Sequence, residues 1–179
     1  NGYYSTWYRN TSGATYACGY SGAYYSLGNG STSTQNAPVQ ITKITNLRDV
    51  RRLGDYSDVF TTMWLTDNGR VYSFGYNGWG SLGNPMLGSN SNGEDGSNYY
   101  PHLVYMPLGT RVKHIYFEGS WEGSSSYAGG HPQFVTDTGQ LFIWGHCGDY
   151  IGSGNVGGHH YVAFQNNSFV HPYNLTISR

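Results

Sequence analysis

Seven histidines and a few carboxylates are the residues of this chain that could do chemistry, but their spacing does not gather them into one site. The pairs His146-Cys147 and His159-His160 contain the ligand types that zinc takes in proteins. Neighbouring residues of a strand point to opposite faces of a sheet, so His159 and His160 would ligate one ion only from a loop. We therefore expect no metal site.

Two other patterns suggest ligands and are better explained by turns. The segment 88–98 is rich in Ser, Asn, Glu and Asp, whose oxygens suit calcium, but it lacks the alternating Asp pattern and the terminal Glu of a calcium loop. A solvated insertion is favoured there. Glycine-bounded turns elsewhere would cradle a phosphate only if a helix followed them, and none is predicted. We expect no cofactor.

Catalytic constellations are weak in this sequence. Serine is common, but no Gly-x-Ser-x-Gly elbow precedes a predicted helix. Glu118 and Glu122 lie close in sequence, and two carboxylates facing each other about 5–10 Å apart would do glycoside chemistry. The sequence predicts a non-enzymatic protein, with a carbohydrate-active enzyme as one alternative.

One short sequence motif occurs three times and indicates the structural units on which any functional site must lie. An apolar pair and a Gly lead into a short turn that closes on Leu-Gly or Ile-Gly, at 16–28, 72–83 and 142–152. Such an internal repeat indicates stacked copies of one supersecondary unit. Cys18 takes the place of Phe74 and Trp144 and is predicted to be a small buried hydrophobe. The glycines that bound the turns are predicted to adopt positive φ: Gly19, Gly28, Gly75, Gly83, Gly145 and Gly152.

The middle copy predicts a four-stranded antiparallel unit. The β-branched and aromatic run 59–65 is typical of a strand buried on both faces. Asp67-Asn68-Gly69 is a strong hairpin signal before the returning strand 70–74, and Pro101 precedes an outer strand at 102–105. Repeated four-stranded units indicate an all-β fold of β-propeller blades. We divide the chain into a front-truncated blade 1 at 1–45, blade 2 at 46–108 and blade 3 at 109–179.

The stretch 69–83 resembles the repeat of the regulator of chromosome condensation family. Asn77, Gly80, Leu82 and Gly83 fall in register with that repeat, while Ser81 replaces its usual Gln. The resemblance implies a seven-bladed propeller, of which this chain would supply about three divergent blades. The family's nucleotide exchange on a small GTPase and its chromatin binding are not implied, because no residue here matches the loops and basic tail that carry them.

Composition restricts the partners. Charged residues are 11% of the chain and the net charge is −1, so the sequence has no basic field for nucleic acid. No apolar run reaches the roughly 18 residues of a membrane helix. Three blades are too few for a ring, since propellers have about four to eight, so we expect other subunits or the rest of a longer parent chain to cover the blade edges.

Three insertions combine Tyr and Trp with Ser, Gly, Asn and His: 84–100, 119–130 and 154–171. This amino-acid composition is typical of binding loops. Six aromatic residues in or near these insertions are candidate ligand-stacking residues: Trp79, Tyr99, Tyr100, Trp121, Tyr127 and Tyr161. We hypothesise a non-enzymatic extracellular module, such as part of a phage tail fibre or another virion or cell-surface appendage, that attaches to a host or a glycan. The second alternative is an intracellular protein-interaction propeller of the nucleotide-exchange-factor type.

Overall fold

The computed structural model of the protein describes residues 4–21, 25–54, 60–77, 80–87, 98–118, 131–147 and 158–165. These ranges contain β-strands, a short 3₁₀ turn at Pro85–Leu87 among the connecting turns, and no α-helix. The strands are β1 (Ser5–Arg9), β2 (Thr15–Gly19), β3 (Gln35–Ile41), β4 (Leu47–Gly54), β5 (Phe60–Thr66), β6 (Val71–Gly75), β7 (Asn98–Leu103), β8 (Val112–Glu118), β9 (His131–Thr136), β10 (Leu141–Cys147) and β11 (Gly158–Gln165).

These strands form three antiparallel sheets in which chain order and spatial order coincide. Blade 1 is the sheet β1-β2-β3, blade 2 is β4-β5-β6-β7 and blade 3 is β8-β9-β10-β11. Blade 1 lacks, among the described residues, a counterpart of β4 and β8. The predicted fold class, all-β with four-stranded propeller blades, is confirmed, while the division of the chain at residues 45 and 108 stays a prediction.

The hairpin between β5 and β6 shows how the local sequence sets the blade. Gly69 has φ of 78° and donates its N–H to the Thr66 carbonyl at 2.9 Å, while the Thr66 N–H reaches the Arg70 carbonyl at 3.0 Å. The Thr66 hydroxyl also bonds the Asn68 side chain at 2.6 Å. The hairpin predicted at Asp67-Asn68-Gly69 is therefore confirmed.

The outer strand of blade 2 begins earlier than the predicted 102–105, because β7 starts at Asn98 and contains Pro101. The outer strand of blade 1, β3, also contains a proline, Pro38. Both strands are at the edge of their sheet, where a proline removes no ladder hydrogen bond that the sheet needs. The strand predicted at 102–105 ends at Leu103.

The hydrophobic core lies between blades. One cluster joins blade 1 to blade 2 and contains Trp7, Ala17, Trp64 and Phe74. The other joins blade 2 to blade 3, where the stacked rings of Phe134 and Phe142 pack with residues of β5 and β6. Each blade is thus held mainly by the blade next to it, as expected for a repeat architecture.

Two fully buried tryptophans in these clusters differ in their hydrogen bonding. The Trp144 indole N–H donates to the Ser81 carbonyl at 2.9 Å, whereas the Trp64 indole N–H has no acceptor among the described residues. Replacing each by Phe removes a similar volume, but only Trp144→Phe also leaves a buried carbonyl unpaired. We expect Trp144→Phe to lower the free energy of unfolding by about 1–2 kcal/mol more than Trp64→Phe. Urea denaturation of both variants checks this, and equal losses would contradict it.

Candidate protein-binding surface

The turns that follow β2 and β6 form contacts between blades. Gly28 (φ 78°) lies under the ring of Phe74, and Gly83 (φ 63°) lies under the indole of Trp144. In each case the last glycine of one repeat contacts the aromatic residue that stands just before the first glycine of the next repeat. Gly19, Gly75 and Gly145 also have positive φ, while Gly152 lies outside the described residues. Gly28 and Gly83 therefore serve the blade junctions.

The Asn and Leu of the repeat have a structural role as well. The Asn77 side-chain oxygen accepts the Leu82 N–H at 3.0 Å, and the Ser73 hydroxyl donates to the Leu82 carbonyl at 2.5 Å. The Thr61 hydroxyl bonds the Tyr76 carbonyl at 2.8 Å. These bonds satisfy buried polar groups of the turn after β6, so the repeat motif organises this turn.

Of the six predicted stacking residues, only Tyr100 has a described side chain. Tyr100 is about half exposed, and its ring packs over Gly30. The Lys43 amine lies over the ring, 5.3 Å from its centroid. Blade 1 thus occupies one side of the ring, and Tyr100 contributes to the junction between blades 1 and 2. Tyr99 lies in β7 and Tyr161 in β11, but their side chains, like the whole of Trp79, Trp121 and Tyr127, lie outside what the structure describes. Their role stays a prediction.

A cluster of exposed large side chains lies at the outer edge of blade 2. Met86 is 89% exposed, Tyr105 is 62% exposed and Leu103 is also exposed. Asn84 joins the cluster, because its side chain accepts the Met86 N–H at 3.0 Å and donates to the Leu103 carbonyl at 3.2 Å. We call Met86, Leu103 and Tyr105 the outer-edge patch. An exposed apolar patch of this kind is typical of a protein-binding surface.

The flank of blade 1 is a second exposed aromatic surface. Each blade has one aromatic cross-strand pair at the same register: Tyr8 with Tyr16, Trp64 with Tyr72, and Phe134 with Phe142. Trp64 and Phe134 are fully buried against the preceding blade, whereas Tyr8 is 41% exposed and stacks on Tyr16 with ring centroids 5.3 Å apart. At both internal junctions another blade covers this surface.

Cys18 lies on the same flank and differs from the prediction. It pairs with Thr6 as Phe74 pairs with Thr62, so its place in the repeat is as expected. Its side chain is half-buried and the thiol is free, so the prediction of a buried hydrophobe is wrong. The reason is that Phe74 and Trp144 are buried by the turn of a preceding blade, and blade 1 has none among the described residues.

Groups suited to catalysis are scattered in the described part of the chain. Its His, Cys, Asp and Glu residues include no cluster of three that could hold a metal ion. Burial lowers the pKa of His102, which keeps this imidazole neutral near pH 7. The Glu118 side chain and all of Glu122 lie outside the described residues, so the carboxylate pair is untested. No helix in the described ranges has the length and hydropathy to span a membrane.

A known repeat matches the part of the chain that holds the outer-edge patch. The family model of the regulator of chromosome condensation (RCC1) repeat matches residues 68–117, from the β5–β6 hairpin to β8. This range contains the stretch 69–83, on which the sequence resemblance rests.

Solved structures match nearly the whole chain. Human WBSCR16 is 15% identical with a TM-score of 0.65, and the match covers 92% of this chain and 36% of that one. Prp20p from Saccharomyces cerevisiae, a protein with binding properties to Gsp1p and histones, is 14% identical with a TM-score of 0.66, covering 93% of this chain and 37% of that one. A chain of the structure of Kap60 bound to yeast RCC1 (Prp20) is 13% identical with a TM-score of 0.59, covering 93% and 36%.

The chain therefore spans just over a third of the length of the solved chains that it matches. At these identities the likeness concerns the fold, and it agrees with the three antiparallel sheets described above. Together, the sheets, the family match and the solved structures identify a chain that carries a regulator of chromosome condensation repeat within β-propeller blades.

Proposed function

We propose that this chain is a protein-binding segment of a β-propeller and that its outer-edge patch is a contact surface for another protein. The observation that carries the proposal is the patch itself, in which Met86 and Tyr105 are mostly exposed and Asn84 holds Met86 beside Leu103. The two Asn84 bonds fix the backbone at Met86 and Leu103, so a partner that covers the patch need not order this part of the backbone.

The solved relatives support a protein partner. Prp20p binds Gsp1p and histones, and yeast RCC1 (Prp20) was solved bound to Kap60. On this basis the alternative that we weighed from the sequence, a protein-interaction propeller of the nucleotide-exchange-factor type, is favoured over a phage tail fibre that binds host glycans. We do not retain the tail-fibre and glycan hypotheses, because no solved relative above points to them. The extracellular location stays a prediction.

The test uses purified chain with three probes, Gsp1p, core histones and Kap60, in a surface-based binding assay. We expect at least one probe to bind and the double variant Met86→Ser/Tyr105→Ser to weaken that binding about tenfold or more, since central anchors of an interface typically contribute about 2 kcal/mol each. GDP release from Gsp1p, measured in parallel, separates binding from exchange.

Tyr116→Ser is the matched control. Tyr116 is also exposed, but it lies on β8, the first strand of blade 3, whereas the outer-edge patch lies at the last strand of blade 2. This variant should bind as the unmodified chain does. Absence of binding to all three probes, or equal loss in the control and the double variant, would contradict the proposal.

The flank of blade 1 supports a second contact, with another propeller segment. Tyr8 and Tyr16 occupy the register that a neighbouring blade covers at both internal junctions. We expect Tyr8→Ser to lower the tendency of the purified chain to self-associate, because it removes apolar area from this flank. Sedimentation velocity over a range of concentrations checks this, and an unchanged distribution of species would contradict it.

A further inference from the structure

One end of the blades gathers the hairpin turns and the segments that enter the next blade. Backbone hydrogen bonds join these pieces: Asn46 N–H to the Gly13 carbonyl at 3.0 Å, Asp67 N–H to the Asn46 carbonyl at 3.0 Å and Val112 N–H to the Gly69 carbonyl at 2.9 Å. Asp137 N–H bonds the Arg111 carbonyl in the same way at 2.9 Å. We call this end, formed by residues 9–14, 46–48, 66–70, 111–113 and 136–140, the hairpin rim.

Two basic residues occupy equivalent positions on this rim. In blade 2 the pairing steps from Leu47 to Asp49, so Arg48 is the extra residue of a β-bulge at the start of β4. In blade 3 the pairing steps from Val112 to His114, and Lys113 is the extra residue at the start of β8. A bulge redirects the side chain of its extra residue, and bulges are common beside functional sites.

At both bulges the basic side chain is exposed and the residue before it is buried. Arg48 and Lys113 are exposed, while the residues just before them, Leu47 and Val112, are buried in the cores between blades. Strands β4 and β8 are in contact, so the two cations lie on neighbouring inner strands. The bulge occurs at the same place in blades 2 and 3. In both blades the residue just before the first strand, Asn46 or Arg111, accepts a hydrogen bond from the hairpin of its own blade.

The charge on the rim is unbalanced. Arg9 pairs with Asp67, and Asp49 is engaged by Arg51 at 3.0 Å. Among the described residues, no carboxylate pairs with Arg48, Arg70, Arg111 or Lys113, and all four are exposed. Arg111 lies directly beside Gly69, the neighbour of Arg70 in the chain. Asp137 is the remaining described carboxylate of the rim, so four cations face one anion.

From this arrangement we infer that the hairpin rim binds an acidic protein segment through Arg48 and Lys113, with Arg70 and Arg111 as further contacts. This deepens the proposed function, because it rests on the partner being a protein and adds the charge of the segment that is recognised. Exposed cations on a weakly charged protein attract a complementary anion and set the orientation in which it docks. A nucleic acid is disfavoured, because nucleic-acid interfaces neutralise many phosphates with a broad basic surface and this chain has a net charge of −1.

The test measures fluorescence anisotropy with a labelled peptide rich in Asp and Glu and with a matched peptide in which Asn and Gln replace them. The chain should bind the acidic peptide and not the neutral one, with an affinity that falls as salt rises. The double variant Arg48→Gln/Lys113→Gln should bind about tenfold more weakly. Asp49→Asn/Arg51→Gln, which removes an ion pair from β4 and leaves the net charge unchanged, should bind normally.

The inference would be overturned if the acidic peptide did not bind or if both variants lost affinity equally. Tighter binding of double-stranded DNA than of the acidic peptide, with the same sensitivity to Arg48→Gln/Lys113→Gln, would overturn it in favour of a nucleic acid. The outer-edge variant Met86→Ser/Tyr105→Ser should keep the acidic peptide, so failure at the rim and failure at the outer-edge patch are distinguishable.

Discussion

Gly83→Ala should be among the most destabilising single substitutions in this chain, lowering the free energy of unfolding by about 2–5 kcal/mol. A Cβ added to Gly83 would lie 2.6 Å from Nε1 and 2.9 Å from Cδ1 of Trp144. The indole is fully buried and hydrogen-bonded to Ser81, so it has no room to withdraw. The positive φ of 63° adds backbone strain for any residue with a side chain.

Gly139→Ala is the matched control for this prediction. Gly139 has a similar φ of 82° with no atom within 4 Å of an added Cβ. Its substitution should cost only about 1 kcal/mol, from the left-handed backbone conformation alone. Chemical denaturation of both variants isolates the packing contribution. Equal losses at the two positions would show that Gly83 is needed for its backbone conformation and not for its contact with Trp144.

Arg52→Met should lower the free energy of unfolding by about 2–3 kcal/mol, because it removes a charged anchor between blades 1 and 2. The Arg52 guanidinium donates to the Ser5 hydroxyl, to the Ser26 hydroxyl at 2.8 Å and to the Tyr20 carbonyl at 3.3 Å. It also lies over the ring of Trp7, 5.7 Å from the centroid. Methionine keeps most of the apolar stem but removes the donor to the Ser5 and Ser26 hydroxyl oxygens, while the Tyr20 carbonyl keeps its bond from the Ser5 hydroxyl.

The neighbouring Arg51 gives the control for Arg52. Its side chain is half exposed and pairs with Asp49 at 3.0 Å, with a long bond of 3.4 Å to the Ile115 carbonyl. Arg51→Met should therefore cost only about 0.5 kcal/mol. Arg52→Lys should fall between the two, because an ammonium keeps the charge but loses the planar fork that reaches several acceptors at once. If Arg52→Met and Arg51→Met were equally mild, Arg52 would not be an anchor of the junction.

Much of the blade architecture could be predicted from short-range sequence signals. The Asp67-Asn68-Gly69 hairpin is encoded by adjacent residues, because the turn type needs a glycine with positive φ at one position. The threefold repetition of the glycine-bounded motif indicated stacked units. The three antiparallel sheets agree with this prediction, and so does the match of residues 68–117 to a known repeat. These features depend on neighbours in the chain, which is why the sequence reveals them.

The bulges, the outer-edge patch and the blade junctions could not be predicted in the same way. Whether Arg48 is an extra residue depends on how β4 aligns with β5, and a pattern within β4 does not contain that alignment. The outer-edge patch depends on a bond from Asn84 to Leu103, a residue of β7 that lies 19 positions further along the chain. Cys18 was expected to be buried because its equivalents are, yet burial there depends on a preceding blade.

By itself, then, the sequence determined the blade type and its repetition, because glycine turns and alternating apolar residues act over a few positions. Only the tertiary structure decided that Gly28 and Gly83 pack against the rings of Phe74 and Trp144. It also decided that Arg48 and Lys113 lie at equivalent bulges on the hairpin rim. Contacts between residues far apart in the chain arise when one blade packs on the next. The identity of each contact is therefore a property of the assembled junction and not of either segment alone.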